Sequence, residues 1–313
     1  MQQFATIISP EYFPFASTLY GSIRKYHPAA SIHILVTGDV KPHQLEDGMH
    51  IYLTSELSSP IVEDIQNKYK GFNDHLRWSL KPVFLLHLLN KIDKLIYLDA
   101  DVFFFGNAGF LFDELDLHSI LLTPHFAQPD PFVNEEKFMM NFRAGLFNAG
   151  FIGVNRKAVK TLEWWTRACL YHISDDPSNG YYVDQRYLDM IPVIDAGASI
   201  VRHQGCNLGS WNMDTYKREK QVDGTVLING KFPVIFIHFN HETMKHILNG
   251  DDAGLKTYWD EYAATFAATG HQLENFIPML GKWKSTSLFL EIKRAASIRS
   301  RFKQLLFRLA KKL

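Results

Sequence analysis

An α/β fold built on a Rossmann-like sheet is predicted by three features of the sequence. Leu95 to Phe105 (LIYLDADVFFF) reads as a buried strand of such a sheet, interrupted by two carboxylates at its end. The chain opens as strand, helix, strand, an order that implies a parallel crossover. Further apolar strand-like runs, FNAGFIGVN at 147–155 and FPVIFIHF at 232–239, each carry a polar residue in or at the end of the run.

The elements follow in chain order. Phe4 to Ser9 (FATIIS) reads as a buried strand and Pro10 to Pro14 as a turn. Pro14 suits the first turn of the next helix, in which Phe15, Leu19, Ile23 and Tyr26 recur at helical spacing. Ile32 to Thr37 forms the second strand, ending at Gly38-Asp39, and Ile51 to Leu53 a short third one. Pro60 to Tyr69 and Trp78 to Leu89 are expected helices, the latter with Pro82 in its first turn and Lys81 near its start. After the acidic strand, Ser119 to Thr123 is a strand, and Gln128 to Asn141 a long polar loop of the kind that is more often functional than idle. Residues 156–171 read as helical, with Trp164 and Trp165 in the core. Asp184 opens a helical run to Met190, and Val222 to Gly230 forms a surface hairpin.

Composition bounds the answer. A chain of 313 residues, 46% hydrophobic and 21% charged, is globular rather than disordered and large enough for one big domain or two small ones. The formal charge of zero hides an asymmetry: residues 281–313 hold ten Lys or Arg and one acid, Glu291, so residues 1–280 carry net −9. That basic end is a separate feature. Two cysteines, Cys169 and Cys206, and an amino terminus without a charged region followed by a long apolar run indicate neither a disulfide framework nor a signal peptide. A reducing, cytoplasmic setting fits. No stretch approaches the ~18 to 20 continuous apolar residues of a membrane-spanning helix. Neither GxGxxG nor GxxxxGK[ST] occurs, so dinucleotide-fingerprint and P-loop chemistry are excluded.

The chemistry begins at Asp99 and Asp101. Burying two unpaired carboxylates costs several kcal/mol, and a divalent cation with oxygen ligands compensates for it. An Asp-x-Asp pair by itself proves little, since 20 aspartates in this chain produce about one by chance. Position carries the information, because open α/β sheets bind ligands at the carboxyl ends of their strands. His238 closes a second apolar strand. It reads either as a hydrogen-bonded core histidine or as a third ligand, and Asp, Asp, His suits Mn²⁺ or Mg²⁺. Lys81 is either a solvated lysine or a phosphate contact, since a diphosphate accepts a point charge. Asp184 either complements a helix dipole or belongs to the site. Gly150 permits close backbone approach beside Asn148.

The ordered set FATIISPEYFPFASTLYGSIRKY, LIYLDADVFFF, LFNAGFIGVNR, YVDQRYLD and VIFIHF resembles the retaining glycosyltransferases of family 8, the group that includes glycogenin and bacterial lipopolysaccharide galactosyl- and glucosyltransferases. The resemblance spans most of residues 4–245. It implies the GT-A fold, with domain 1–280 followed by a basic tail, 281–313. It further implies that Thr6 and Tyr12 hold the nucleotide base, and that Asp99, Asp101 and His238 bind a divalent cation, usually Mn²⁺. Asn148, Asp184 and Gln185 are implied to lie round the donor sugar. The family motif HFxGxxKPW has a lysine six residues after its histidine, a diphosphate clamp; here His241 replaces the glycine and Lys245 stands at seven.

The expected function is metal-dependent transfer of a hexose from a nucleotide-diphospho-sugar, UDP-linked by preference, to a glycan or lipid-glycan acceptor with retention. Charge supplies the mechanism: the diphosphate gains negative charge as it leaves, and the cation stabilises it. Two other classes are weighed. A nucleotidyltransferase requires a glycine-rich basic loop after the first strand, and Ser9-Pro10-Glu11-Tyr12 is neither. A non-catalytic sugar-nucleotide-binding or glycan-binding relative usually lacks an acid that this chain keeps.

In the tail, Leu288, Ile292, Ala295, Ile298, Phe302, Leu305, Leu306, Leu309 and Leu313 line one helical face, and the basic residues lie mostly away from it. That is the pattern of an interfacial helix. The stretch is expected either on the acidic body of the same chain or on an anionic membrane surface, the second making a membrane-bound lipid or lipopolysaccharide precursor the acceptor. No nucleic-acid partner is expected.

Overall fold

The computed structural model describes residues 1–38, 45–57 and 59–276. The basic stretch 281–313 lies outside the described residues, as does Asp39. The chain divides into two compact units, Met1–His271 and Gln272–Leu313; the described part of the second contains one short 3₁₀ turn, Leu273–Asn275. The first unit holds the sheets and helices.

Its centre is a seven-stranded sheet. In chain order the strands are β1 (Gln3–Ile8), β2 (Ser31–Val36), β3 (Met49–Leu53), β4 (Lys94–Leu98), β6 (Ile120–Pro124), β7 (Phe147–Asn155) and β8 (Ala198–Ile200), arranged β3-β2-β1-β4-β7-β6-β8. Only β7 runs antiparallel to its neighbours, β4 and β6. β2 and β7 are buried along their whole length, which explains why their sequences are apolar runs rather than alternating ones. Helices α1 (Phe13–Tyr26), α2 (Pro60–Lys68), α3 (Asn73–Leu89), α4 (Gly109–Leu117) and α6 (Val159–Tyr171) cover the sheet, and a single turn, α7 (Ile191–Ile194), precedes β8. This is the mixed, helix-flanked GT-A sheet that the sequence implies. The expected surface hairpin lies in a small antiparallel sheet of β9 (Arg218–Lys220), β10 (Val226–Ile228) and β11 (Phe232–Pro233).

One core lies between the sheet and α2, α3 and α6, with Phe84, Leu88, Leu162 and Trp165 at its middle. Across the sheet, aromatic side chains fill the space: Phe4 meets Phe104 and Phe112 edge-on, and Phe15 meets Phe266 of α9 (Lys256–Ala267). Each such fully buried ring contributes about 1.5–3 kcal/mol. No helix among the described residues is long and apolar enough to cross a membrane.

Three local expectations are corrected. The acidic stretch is two strands, not one: β4 ends at Leu98, Asp99 to Asp101 form a turn, and β5 (Val102–Phe104) leaves the main sheet to pair antiparallel with β12 (Phe236–His238). Carboxylates are costly in a dry core, and the chain turns where they begin, leaving both acids part-exposed. Pro82 lies in the interior of α3, which starts at Asn73 rather than near Lys81. Pro82 lacks an N–H to donate to the carbonyl of Trp78, but packing of a buried face (Leu80, Val83, Phe84) outweighs that loss. The second half of the expected loop 128–141 is helical, belonging to α5 (Glu135–Arg143), which is started by the Asn134 side chain accepting from the Lys137 N–H.

β2 also carries a polar residue. His33 donates its Nε2–H to Gln3 Oε1 at 2.9 Å, accepts at Nδ1 from the Tyr52 hydroxyl at 3.1 Å, and stacks on His50. Burial pushes its pKa down to about 4, and that of His125 likewise to about 4. Both rings are therefore neutral in the fold and protonate first in the unfolded chain. Their contribution is present above about pH 6.5 and is lost as pH falls toward 4. Between pH 7 and pH 5 each should cost about 2 kcal/mol of stability. Urea titrations at the two pH values should show the loss, and His33→Gln should remove its share; an equal pH slope in the variant would refute the assignment.

Candidate active site

The site forms where the main sheet meets the β5–β12 pair. Asp99 and Asp101 sit in the turn after β4, and the Asp99 N–H donates to the Gly150 carbonyl of β7 at 2.9 Å. Pairing of β12 with β5 sets His238 opposite Val102, one residue from Asp101. His238 Nε2 lies 2.9 Å from Asp101 Oδ1. One ligand atom from each of Asp99, Asp101 and His238 falls within 4.8 Å of the others. Burial works against charge on Asp101, but the His238 imidazole holds its carboxyl below the usual range; burial pushes His238 down, and Asp101 outweighs it and holds the ring up.

These residues fit a divalent cation. Two carboxylates and an imidazole form a donor set suited to Mn²⁺ or Mg²⁺, and the other ring nitrogen, His238 Nδ1, is buried with no protein partner. Gly150 leaves the space beside this ring clear: a Cβ there would stand 2.4 Å from His238 Cε1 and 2.7 Å from Asn148 Oδ1. Glycine is required on steric grounds.

Next to the acids lies a buried charge network. Lys81 Nζ is 2.9 Å from Asp184 Oδ2 and 3.5 Å from Asp99 Oδ1, donates to the Ala149 carbonyl at 2.9 Å, and lies 4.8 Å from the centroid of the Tyr97 ring. The reading of Lys81 as a solvated lysine is overturned; only 2% of its side chain is exposed. Burial opposes its charge, but Asp184 and Asp99 outweigh that and keep it protonated. Burial raises the Asp184 carboxyl in turn, against the pull of Lys81. Tyr97 donates its hydroxyl to Asp99 Oδ1 at 2.9 Å.

The structure brings Asn148, Asp184 and Gln185 to the same place. Asn148 accepts from the Gly150 N–H at 2.6 Å, at the point where the β6–β7 register shifts between Leu122 and Thr123. Such a shift re-aims a strand's side chains beside a site. Gln185 accepts from the Ala149 N–H at 3.2 Å and donates to the Ala144 carbonyl at 2.8 Å. Before this pair, Val183 holds a left-handed backbone (φ 44°), rare for a β-branched residue, with its N–H bonded to the Ser174 carbonyl at 2.7 Å. Tyr12 is half-buried and leads into α1. Thr6 has no accessible surface and its hydroxyl has no protein partner, so contact with a base requires its surroundings to open. Lys245, on α8 (His241–Leu248), is half-exposed and 3.6 Å from Glu242.

Four contributors escaped the sequence reading. Tyr97 shares a strand face with Asp99, and that spacing of two was its available signal. Arg77 lies one turn before Lys81, hidden by the misplaced start of α3. His125 comes from the loop after β6 and Trp211 from a short 3₁₀ turn, Ser210–Asn212, the indole standing edge-on between His125 and His238 at 5.5 and 5.4 Å; no local pattern announces them. A separate open cleft of about 510 Å³ on the β3 edge, lined by His50, Tyr52, Glu56 and His87 among others, contains none of these groups. The chemistry, rather than concave volume, locates the site.

The sequence matches the family model described as glycosyl transferase family 8 over residues 4–245. It is similar to Uncharacterized protein YfnD of Bacillus subtilis (strain 168), with 35% identity over 175 residues, covering 53% of this chain and 53% of that one. It is also similar to Uncharacterized protein YfnF of the same strain, with 26% identity over 244 residues, covering 76% of this chain and 80% of the other. The match thus spans about half the length of YfnD. Among solved structures it is similar to the galactosyltransferase LgtC in complex with donor and acceptor sugar analogues, at 17% identity and TM-score 0.47, covering 76% of this chain and 87% of that one. Mouse xyloside xylosyltransferase 1 in its apo form is similar at 14% identity and TM-score 0.47, with 77% and 98% covered.

Proposed function

The chain belongs to glycosyl transferase family 8, and from that premise we propose that residues 1–280 form a metal-dependent glycosyltransferase that moves a hexose from a UDP-sugar to a glycan or lipid-glycan acceptor with retention. The observation that carries the reading is the convergence of Asp99, Asp101 and His238 within 4.8 Å at the strand ends, beside the buried Lys81–Asp184 pair. Those three residues would hold Mn²⁺, or Mg²⁺, which when bound would supply a Lewis acid for the departing diphosphate. The chain's own groups do the rest. Tyr97 and Lys81 fix Asp99 from one side, and the turn carbonyl of Asp101 accepts from the Phe239 N–H at 2.8 Å, so both acids are oriented before a donor arrives.

Asn148, Asp184 and Gln185 are assigned to orienting the donor sugar. Gln185 is bonded to backbone through both ends of its amide, and Asp184 is ion-paired with Lys81; these are roles for a frame and not for a free nucleophile. Tyr12 and Thr6 are assigned to the base.

A panel of nucleotide sugars tests the reading. A UDP-hexose with Mn²⁺ should raise the melting temperature and be slowly hydrolysed, and chelation should remove both effects. Stabilisation without turnover would favour a non-catalytic binding relative, and no response to any member would refute the assignment. The net +9 of residues 281–313 supports an anionic membrane surface as the tail's partner. The full chain should then co-sediment with anionic liposomes more than a chain ending at Gly281, and less so at high salt. Equal sedimentation would remove the membrane reading.

A further inference from the structure

We propose that Arg77 is a second cation of the donor site, binding the diphosphate of the nucleotide sugar beside the Asp99–Asp101–His238 group; this rests on the donor reading above.

The departing diphosphate needs positive charge beyond a single cation, and of the two lysines that sequence nominates, Lys81 is committed to a buried network and Lys245 stands half in solvent. The Lys81 ammonium meets Asp184, Asp99 and the Ala149 carbonyl, so a phosphate could reach it only by breaking a buried pair. Lys245 lies 3.6 Å from Glu242, with half of its side chain in solvent.

Arg77 is placed differently. α3 sets it one turn from Lys81, four residues earlier on the same helical face. Its guanidinium carbon lies 5.2 Å from the centroid of the Tyr12 ring, the side chain assigned to the base. It is 21% exposed, so it is held in place yet open to a ligand. Burial raises the Tyr12 phenol, and the charges of both Arg77 and Asp101 act on it, so the ring lies within reach of both. Asp74 is the one hydrogen-bonding partner of Arg77 among the described residues, through Nη2. A guanidinium has five N–H donors in a planar fork, which leaves several for a phosphate. Asp74 is itself half-exposed, and pairs of that kind are worth at most about 1 kcal/mol, so sharing or exchanging it costs little. The cation–π contact with Tyr12 holds the guanidinium near that ring, and a bidentate fork on phosphate is the contact at which arginine differs from lysine.

The test compares UDP with uridine, both with Mn²⁺, on the full chain by calorimetry and ligand-observed NMR. Arg77→Gln should weaken UDP by about 10- to 100-fold, the scale of lost hydrogen bonds to a charged group, and leave uridine unchanged. Arg77→Lys should recover part of the loss, and it decides the matter should the glutamine variant fail to fold. Unchanged UDP affinity would overturn the proposal. A matched fall for UDP and uridine would also overturn it, making Arg77 a support for the Tyr12 ring. Failure of the unaltered chain to bind UDP is a different result: it refutes the donor reading, and this inference with it.

Discussion

Asp101→Asn should lower transfer by about three orders of magnitude while leaving the unfolding transition nearly unmoved. The substitution keeps volume and removes one of two carboxylate charges from the group formed by Asp99, Asp101 and His238. On the proposed reading, about 4 kcal/mol of stabilisation of the leaving diphosphate would depend on that charge, and each 1.36 kcal/mol is a factor of ten in rate. The fold should survive because Asp101 is held by its backbone as well: its carbonyl accepts from Phe239 whichever side chain is present. Rates measured across a Mn²⁺ titration, with melting curves alongside, decide the point. Near wild-type turnover at any Mn²⁺ concentration would sink the cation assignment.

Lys81→Met should be the most destabilising single change at the site, by about 3–5 kcal/mol, because it leaves Asp184 buried beside Asp99 without a counter-charge. Most of that cost belongs to the stranded carboxylate and little to the lost attraction. Asp184→Asn on the same background should therefore return more than half of the stability, although both members of the pair are then gone. Urea unfolding of the single and double variants measures this coupling. If Lys81→Met proved as stable as the parent chain, or if the second change gave nothing back, the buried network would be incidental.

How much of this was legible in the sequence depends on how local each signal is. The opening strand, helix and strand, the apolar run of β7 and the helix at 159–171 are written in periodicity, and they stand where periodicity puts them. Asp99, Asp101 and His238 were legible because acids and a histidine at the ends of apolar strands are chemically expensive. The break between β4 and β5 was not, since an apolar run on each side of the acids has the same signature whether the two halves share a sheet or belong to different ones. α5 was missed because it buries no residue, and an apolar stripe facing a core is what a periodicity reading detects. Lys81 was misplaced with the start of its helix, and its partner Asp184 lies more than a hundred residues on, beyond the reach of any pattern along the chain.

The pairing of β5 with β12 also governs when the site can exist. A ribosome delivers the chain from its amino end, and the first 200 residues contain every strand of the main sheet, with both acids already in their turn. The imidazole arrives only with residue 238, and its backbone is fixed only once β12 has found β5, a contact between segments more than 130 residues apart. Contacts of such long range form late, because the chain between them must be closed first. A nascent or truncated chain lacking β12 would therefore present the two acids without the imidazole beside them, and on the proposed reading the cation site would be incomplete until the domain was nearly finished.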